Sequence, residues 1–371
     1  MNSNLGIYVH IPFCLSKCAY CDFYSLGYSS QVAEDYTNRL LSEIDRWGAK
    51  LRRPADTLYF GGGTPSLLPA ESIKKIICRC KESFGLDKAE ITVEINPADN
   101  LEEWLCSVAA AGVNRVSVGV QSGIDDELVL LGRRHTRADV LKTVENIKAA
   151  GIENYSVDLM LGIPEQTKKS LDKSIDFVLS LEPKHISTYL LSLEKGTPLY
   201  DNRNNLQIPS QDRSAEFYLQ TCHRLEENGY ERYEISNFAK NGNISKHNTK
   251  YWILTDYLGL GPAAHSLIEG KRFYYDRNLE YYIKAPKEVF EGDAGGIEES
   301  LMLALRLSKG VDFSAFAKKN PNINFEKAIK KAHLFKKMGL LQKKGESFSL
   351  TNRGAVVSNS VITELLLALE N

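Results

Sequence analysis

The sequence predicts an α/β protein built on parallel strands, and three observations carry that expectation. Short β-branched runs alternate with amphipathic stretches through the first half of the chain. Glycines close helical patterns at Ala111-Gly112 and Ala150-Gly151. Residues able to do chemistry fall directly after the strand-like runs, where open α/β sheets and barrels place their sites.

The strand candidates are 6–11, 57–60, 91–95, 115–120, 155–160 and 185–191. Helix candidates lie between them. Residues 31–47 set Val32, Tyr36, Leu40 and Ile44 at four-residue steps, one apolar face. Residues 71–84, 101–111, 137–150 and 171–181 read likewise. Such a succession implies parallel strands joined by right-handed crossovers. The strands read as near-continuous apolar runs, as expected for a sheet covered by helices. A six-unit partial barrel and a doubly wound sheet both satisfy this pattern. Residues 200–285 are tyrosine-rich and read as irregular, punctuated by Gly259-Leu-Gly261-Pro262. From about residue 298, helices at 298–307, 325–338 and 361–369 surround a hairpin at 339–350, a small winged-helix-like domain. The expected division is 1–200 for the (β/α) unit, 201–290 for an extension and linker, and 291–371 for the C-terminal domain.

The 371 residues are 43% hydrophobic and 25% charged, ordinary for a globular protein. A net charge of -1 gives no global basic field toward nucleic acid. The lysine-rich stretch 318–344 reads as a solvated helix face. The N-terminus lacks the basic region of a secretory signal, and no apolar run is long enough to span a membrane, so a cytoplasmic protein is expected. Seven cysteines, an odd number, argue against a disulfide framework.

Three of those cysteines cluster in Cys14-Leu-Ser-Lys-Cys18-Ala-Tyr-Cys21. This C-x3-C-x2-C spacing can supply three thiolates to a [4Fe–4S] cluster and leave one iron open. A zinc site is the alternative, but zinc calls for four ligands, usually in two pairs. Next comes Tyr59-Phe-Gly-Gly62-Gly63-Thr64-Pro65, where glycines permit close backbone approach and exposed N–H groups suit an anion. The run His247-Asn-Thr-Lys-Tyr251-Trp252 offers an imidazole that can ligate iron and two aromatic rings.

The order of these motifs, with Glu94-Ile-Asn-Pro97, Arg115-Val-Ser-Val-Gly-Val-Gln121, Leu131-Gly-Arg133-Arg-His135 and Asp158-Leu-Met-Leu-Gly-Ile-Pro164 between them, resembles the radical S-adenosylmethionine superfamily. The nearest branch is the oxygen-independent coproporphyrinogen III oxidase family. The resemblance covers essentially the whole chain and implies a partial (β/α)6 TIM-type barrel. It implies that Cys14, Cys18 and Cys21 hold the cluster. It also implies that Tyr8, Gly62, Gly63, Thr64, Glu94, Gln121, Arg133 and Asp158 contact S-adenosylmethionine. A carboxylate such as Glu94 suits an ammonium, and the Arg133 fork suits a carboxylate. Reductive cleavage of the sulfonium to a 5′-deoxyadenosyl radical is the implied chemistry, with a flavodoxin- or ferredoxin-type electron donor.

One departure refines this. Phe23 stands where the oxidases proper carry a further cysteine, and Cys21-Asp22-Phe23 resembles the haem chaperone branch. The H-N-x-x-Y-W motif resembles that branch too, and there implies haem bound through His247. The expectation is a carrier that binds haem and hands it to acceptor haemoproteins, respiratory membrane enzymes among them, without nucleic acid as a partner and with the inner membrane face as a candidate surface. A coproporphyrinogen III oxidase is the second reading.

Overall fold

The computed structural model describes residues 4–97 and 101–370. Six strands, β1 (Leu5–Ile11), β2 (Ala55–Gly62), β3 (Glu90–Ile95), β4 (Arg115–Gln121), β5 (Asn154–Leu161) and β6 (His185–Leu190), pair in parallel, each with the next. Helices Ser30–Leu51, Ala70–Phe84, Glu102–Ala111, Arg137–Ala149 and Lys168–Ser180 supply the crossovers. Gly85 and Gly112 end two of them at positive φ, 58° and 118°, the left-handed turn that costs glycine least.

The strands alternate rather than running apolar throughout, which corrects the near-continuous pattern read from the sequence. Ile7, Val9, Leu58, Phe60, Val93, Val116, Val118, Val157 and Ile186 belong to the buried apolar core. The residues between them, Tyr8, His10, Thr57, Tyr59, Glu94, Arg115, Ser117, Ser156, Asp158 and Ser187, are polar or titratable. Successive strand residues point to opposite faces, so one face packs on the helices and the other makes a polar interior. That interior is cross-linked: Tyr59 donates to Glu94 at 2.7 Å, and Ser156 donates to Ser117 at 2.9 Å.

The region read as irregular carries five further strands of the same sheet, β7 (Glu231–Arg232), β8 (Asn237–Ala239), β9 (Tyr257–Leu260), β10 (His265–Ile268) and β11 (Lys271–Tyr275), and a sixth, β12 (Glu288–Asp293), follows just beyond it. The order is β12-β11-β10-β9-β1-β2-β3-β4-β5-β6-β8-β7. Strand β9 pairs parallel to β1, opposite β2, so the parallel part extends beyond six strands. Among the described residues the outer strands β12 and β7 do not pair, which leaves the sheet open. The architecture is α/β with a mostly parallel sheet.

A second apolar core begins at Leu301 and includes Leu305, Phe313, Phe335, Phe348 and Leu365. It is built from helices Ile297–Arg306, Glu326–Lys337 and Ser358–Glu370 and a hairpin of strands Leu341–Lys344 and Ser347–Leu350. The sequence reading omitted two short helices here, Phe313–Lys319 and Asn352–Val356. Among the described residues no helix is long and apolar enough to cross a membrane.

Candidate functional site

The cysteine loop leaves β1 at its C-terminal end and is pinned there by the glycine turn that ends β2. Gly63 donates its N–H to the Ile11 carbonyl at 2.8 Å, and Thr64 donates to the Phe13 carbonyl at 2.7 Å. A Cβ on Gly63 would lie 2.5 Å from the Phe13 oxygen, closer than atoms approach, so only glycine fits. Gly62 donates to Glu94 Oε2 at 3.3 Å. The expectation of free N–H groups for an anion is therefore corrected: all three are spent on the protein. With those N–H groups spent, the turn can meet a ligand only through acceptors, which suit an ammonium.

All seven cysteines are free thiols, and Cys14, Cys18 and Cys21 are each half-buried in the loop. A chain of polar contacts links the first two. Arg133 Nη1 approaches Cys18 Sγ at 3.4 Å, and its Nη2 donates to Asn96 Oδ1 at 2.7 Å and to the Gly119 carbonyl at 2.8 Å. Asn96 donates to Thr64 Oγ1 at 2.8 Å, and that oxygen lies 3.6 Å from Cys14 Sγ. A cleft lined by Cys18, Thr64, Asn96, Arg133 and His135 opens beside them. Among the described residues no three Cys, His, Asp or Glu side chains converge on one metal ion. In a cubane each thiolate takes its own iron. The donor set fits the cluster: three soft ligands, with a guanidinium beside one to offset thiolate charge.

Two half-buried carboxylates, Glu94 on β3 and Asp158 on β5, stand on the strands. Burial pushes the Glu94 carboxyl up to about 7, with the Tyr59 hydrogen bond working the other way and Asp158 adding to the rise. Burial raises Asp158 to about 6, opposed by a hydrogen bond from Ser187 and by the charges of Arg115 and Arg133. Gln121 is buried at the end of β4 with φ of 68°, a left-handed conformation held for its position. Tyr8 completes the interior, its hydroxyl 3.1 Å from His10 Nδ1 while His10 Nε2 donates to the Tyr24 carbonyl at 2.9 Å. Burial holds His10 near 4, so the ring is neutral. The sequence reading assigned no role to Asn96 or Tyr59, and considered His10 only as the histidine nearest the cysteine loop. The signal available for the first two was period two: Asn96 lies two residues beyond Glu94, and Tyr59 two beyond Thr57.

His247 is placed differently from the other candidates. It sits in helix Lys246–Trp252 and is 1% exposed. Nδ1 lies 2.8 Å from Thr57 Oγ1 and Nε2 lies 2.8 Å from the Tyr251 hydroxyl, so both ring nitrogens have partners. Its ring stacks on Tyr59 at 5.2 Å, and burial lowers its pKa to about 3. Trp252 lies under the Arg306 guanidinium at 4.7 Å, against the C-terminal domain.

Comparison with known proteins agrees with this architecture. The family model for the radical SAM superfamily matches residues 8–178, and that for the HemN C-terminal domain matches residues 296–357. The chain is 37% identical to the heme chaperone HemW of Bacillus subtilis over 97% of this chain and 98% of that protein. It is 34% identical to the heme chaperone HemW of Lactococcus lactis, covering 97% of each. It is 33% identical to the mitochondrial radical S-adenosyl methionine domain-containing protein 1 of Danio rerio, over 98% of this chain and 87% of the other. Among solved structures, coproporphyrinogen III oxidase (HemN) from Escherichia coli superposes with a TM-score of 0.82 at 22% identity, over 99% of this chain and 90% of that one. That likeness establishes the fold.

Proposed function

The chain belongs to the HemW family of radical S-adenosylmethionine proteins, and from that premise we propose that it binds haem and delivers it to acceptor haemoproteins. The observation that carries the reading is the near full-length kinship with curated haem chaperones. Phe23 in the position where the oxidases carry a further cysteine supports it. The fold shared with the oxidase does not bring the oxidase's activity along at 22% identity.

In this reading Cys14, Cys18 and Cys21 hold the [4Fe–4S] cluster. Glu94 and the acceptors of the glycine turn receive the ammonium of S-adenosylmethionine, Arg133 faces its carboxylate, and Tyr8, Gln121 and Asp158 line the rest. Bound together, the cluster and cofactor supply one-electron reduction of the sulfonium. The protein orients them in a buried polar interior and excludes water from it. The electron donor is of flavodoxin or ferredoxin type. The acceptors are cytoplasmic or inner-membrane haemoproteins, respiratory enzymes among them. His247 serves haem binding only after its two hydrogen bonds are exchanged, since neither nitrogen is open in this conformation.

The test is transfer. Anaerobically reconstituted protein loaded with haem should reconstitute an apo-haemoprotein acceptor across a solution in which free haem is scavenged. The same preparation given coproporphyrinogen III, reductant and S-adenosylmethionine should form no protoporphyrinogen. Sustained turnover there would establish the oxidase instead.

A further inference from the structure

Between the end of the cysteine loop and the outer strands β10 to β12 lies a second cleft of about 730 Å³. This falls within the range of roughly 300–1,000 Å³ usual for small-molecule sites. Tyr8 and Tyr251 close its deep end, and Phe23, His265 and Arg277 stand at its rim. The cleft therefore runs from the cofactor interior to the surface beside the cluster loop.

His265 opens β10, with its side chain 55% exposed. Its ring stacks on Tyr274 at 5.2 Å and 28°. Its Nδ1 lies 3.3 Å from Glu291 Oε2 on β12. With Nδ1 donating to that carboxylate, the lone pair sits on Nε2, which has no hydrogen-bond partner among the described residues. A histidine held by a carboxylate, its other nitrogen free, is the arrangement that fixes the tautomer and raises the basicity of a metal ligand. Phe23, 68% exposed, gives the cleft an apolar contact. Arg277 donates one N–H to the Asp22 carbonyl at 2.6 Å. The same guanidinium stands 4.0 Å from the Asp22 carboxylate, with which a propionate would compete for a fork that matches a carboxylate.

We propose that haem binds in this cleft with its iron on Nε2 of His265, a propionate on Arg277, and its ring against Phe23. The inference rests on the haem-carrier reading and places the iron on His265 in the resting conformation, where that reading had His247. His247 cannot take that role without breaking its bonds to Thr57 and Tyr251. His265 needs no rearrangement. It also sets the haem beside the cluster loop, because Phe23 lies two residues after Cys21.

Haemin titration of the full-length, cluster-loaded protein tests this. Wild type should show a saturable Soret band. His265→Ala should weaken binding at least about tenfold and shift that band, with iron and sulfide content unchanged because the side chain is exposed. Added imidazole should restore the band in His265→Gly. Glu291→Gln should bind haem but shift the iron–histidine stretch in resonance Raman spectra of the ferrous form. Wild-type affinity and an unshifted band in His265→Ala would overturn the assignment while leaving the carrier reading intact. Failure of the wild type itself to bind haem would remove both.

Discussion

Nδ1 of His247 lies 2.8 Å from Oγ1 of Thr57, which ties a helix late in the chain to the polar face of strand β2. The other nitrogen holds the Tyr251 hydroxyl, and the ring face lies on Tyr59. The histidine of the H-N-x-x-Y-W motif thus fastens helix Lys246–Trp252 across the interior that also holds Glu94. Lys250, one turn on, does the same at the outer end through Asp56 at 2.7 Å and the Asn4 carbonyl at 2.8 Å.

This placement makes His247→Ala a stability variant. It leaves two buried hydroxyls without their partner and empties an aromatic-sized space. The expected cost is about 2–4 kcal/mol, measured as a lower urea midpoint, and His247→Gln should recover part of it. A variant with the wild-type midpoint would show that the ring contributes nothing to the fold.

The pH dependence of stability should separate His247 from Glu94, because their shifts run in opposite senses. His247 is lowered from 6.5 to about 3 by burial. Its stabilising contribution is complete above pH 6.5 and is lost as pH falls toward 3, at up to roughly 1.4 kcal/mol per pH unit. Glu94 is raised from 4.5 to about 7. Its contribution is complete below pH 4.5 and is lost as pH rises through 7. Acidifying the cofactor-free protein from neutrality therefore costs less than the buried histidines alone would impose. His247→Gln should flatten the acid-side loss, and Glu94→Gln should steepen it. Denaturation midpoints at three or four pH values between those limits decide the matter, and equal slopes in both variants would refute it.

The cysteines divide by surroundings. Cys222 is fully buried in helix Gln211–Glu227, where burial pushes its thiol up to about 12 and leaves it protonated and inert. Cys18 faces Arg133 on the loop. After anaerobic reconstitution the wild type should hold about four irons and four sulfides per chain. Cys18→Ser should lose the cluster and Cys222→Ser should keep it. Iron retained in full by Cys18→Ser would show that the loop is not the ligand set.

Much of this was legible in the sequence because period two and motif order survive without coordinates. All six strand candidates of the first half became strands, with the cysteine loop, Glu94 and Gln121 near their C-terminal ends, Arg133 against Cys18, and Asp158 midway along β5. Strand Tyr257–Leu260 was missed because four residues with a central glycine give no periodicity, and its partner β1 lies some 250 residues earlier in the chain. The glycine turn was understood as a place of close approach, but spacing does not say what approaches. The answer is the backbone of the cysteine loop, through Ile11 and Phe13. Nor does spacing say which way a helix turns, and so the burial of His247 and the exposure of His265 both needed the three-dimensional arrangement.

The raised Glu94 carboxyl also bears on cofactor binding. A neutral acid cannot pair with an ammonium, so if Glu94 receives the ammonium of S-adenosylmethionine as proposed, its carboxyl, which burial pushes up to about 7, must first ionise. Affinity should therefore rise with pH, by up to about tenfold per unit below that value. The rise should stop near pH 7.7–8.0, where an α-amino group loses its own charge. Glu94→Gln keeps a polar amide beside Tyr59 but has no charge to gain, so its affinity should be weaker and nearly flat across the same range. Equilibrium dialysis of the cluster-loaded protein between about pH 6 and pH 7.5 reads this directly. A wild-type affinity independent of pH would mean that Glu94 does not meet the ammonium, and the carbonyl oxygens of the glycine turn would then be its remaining acceptors.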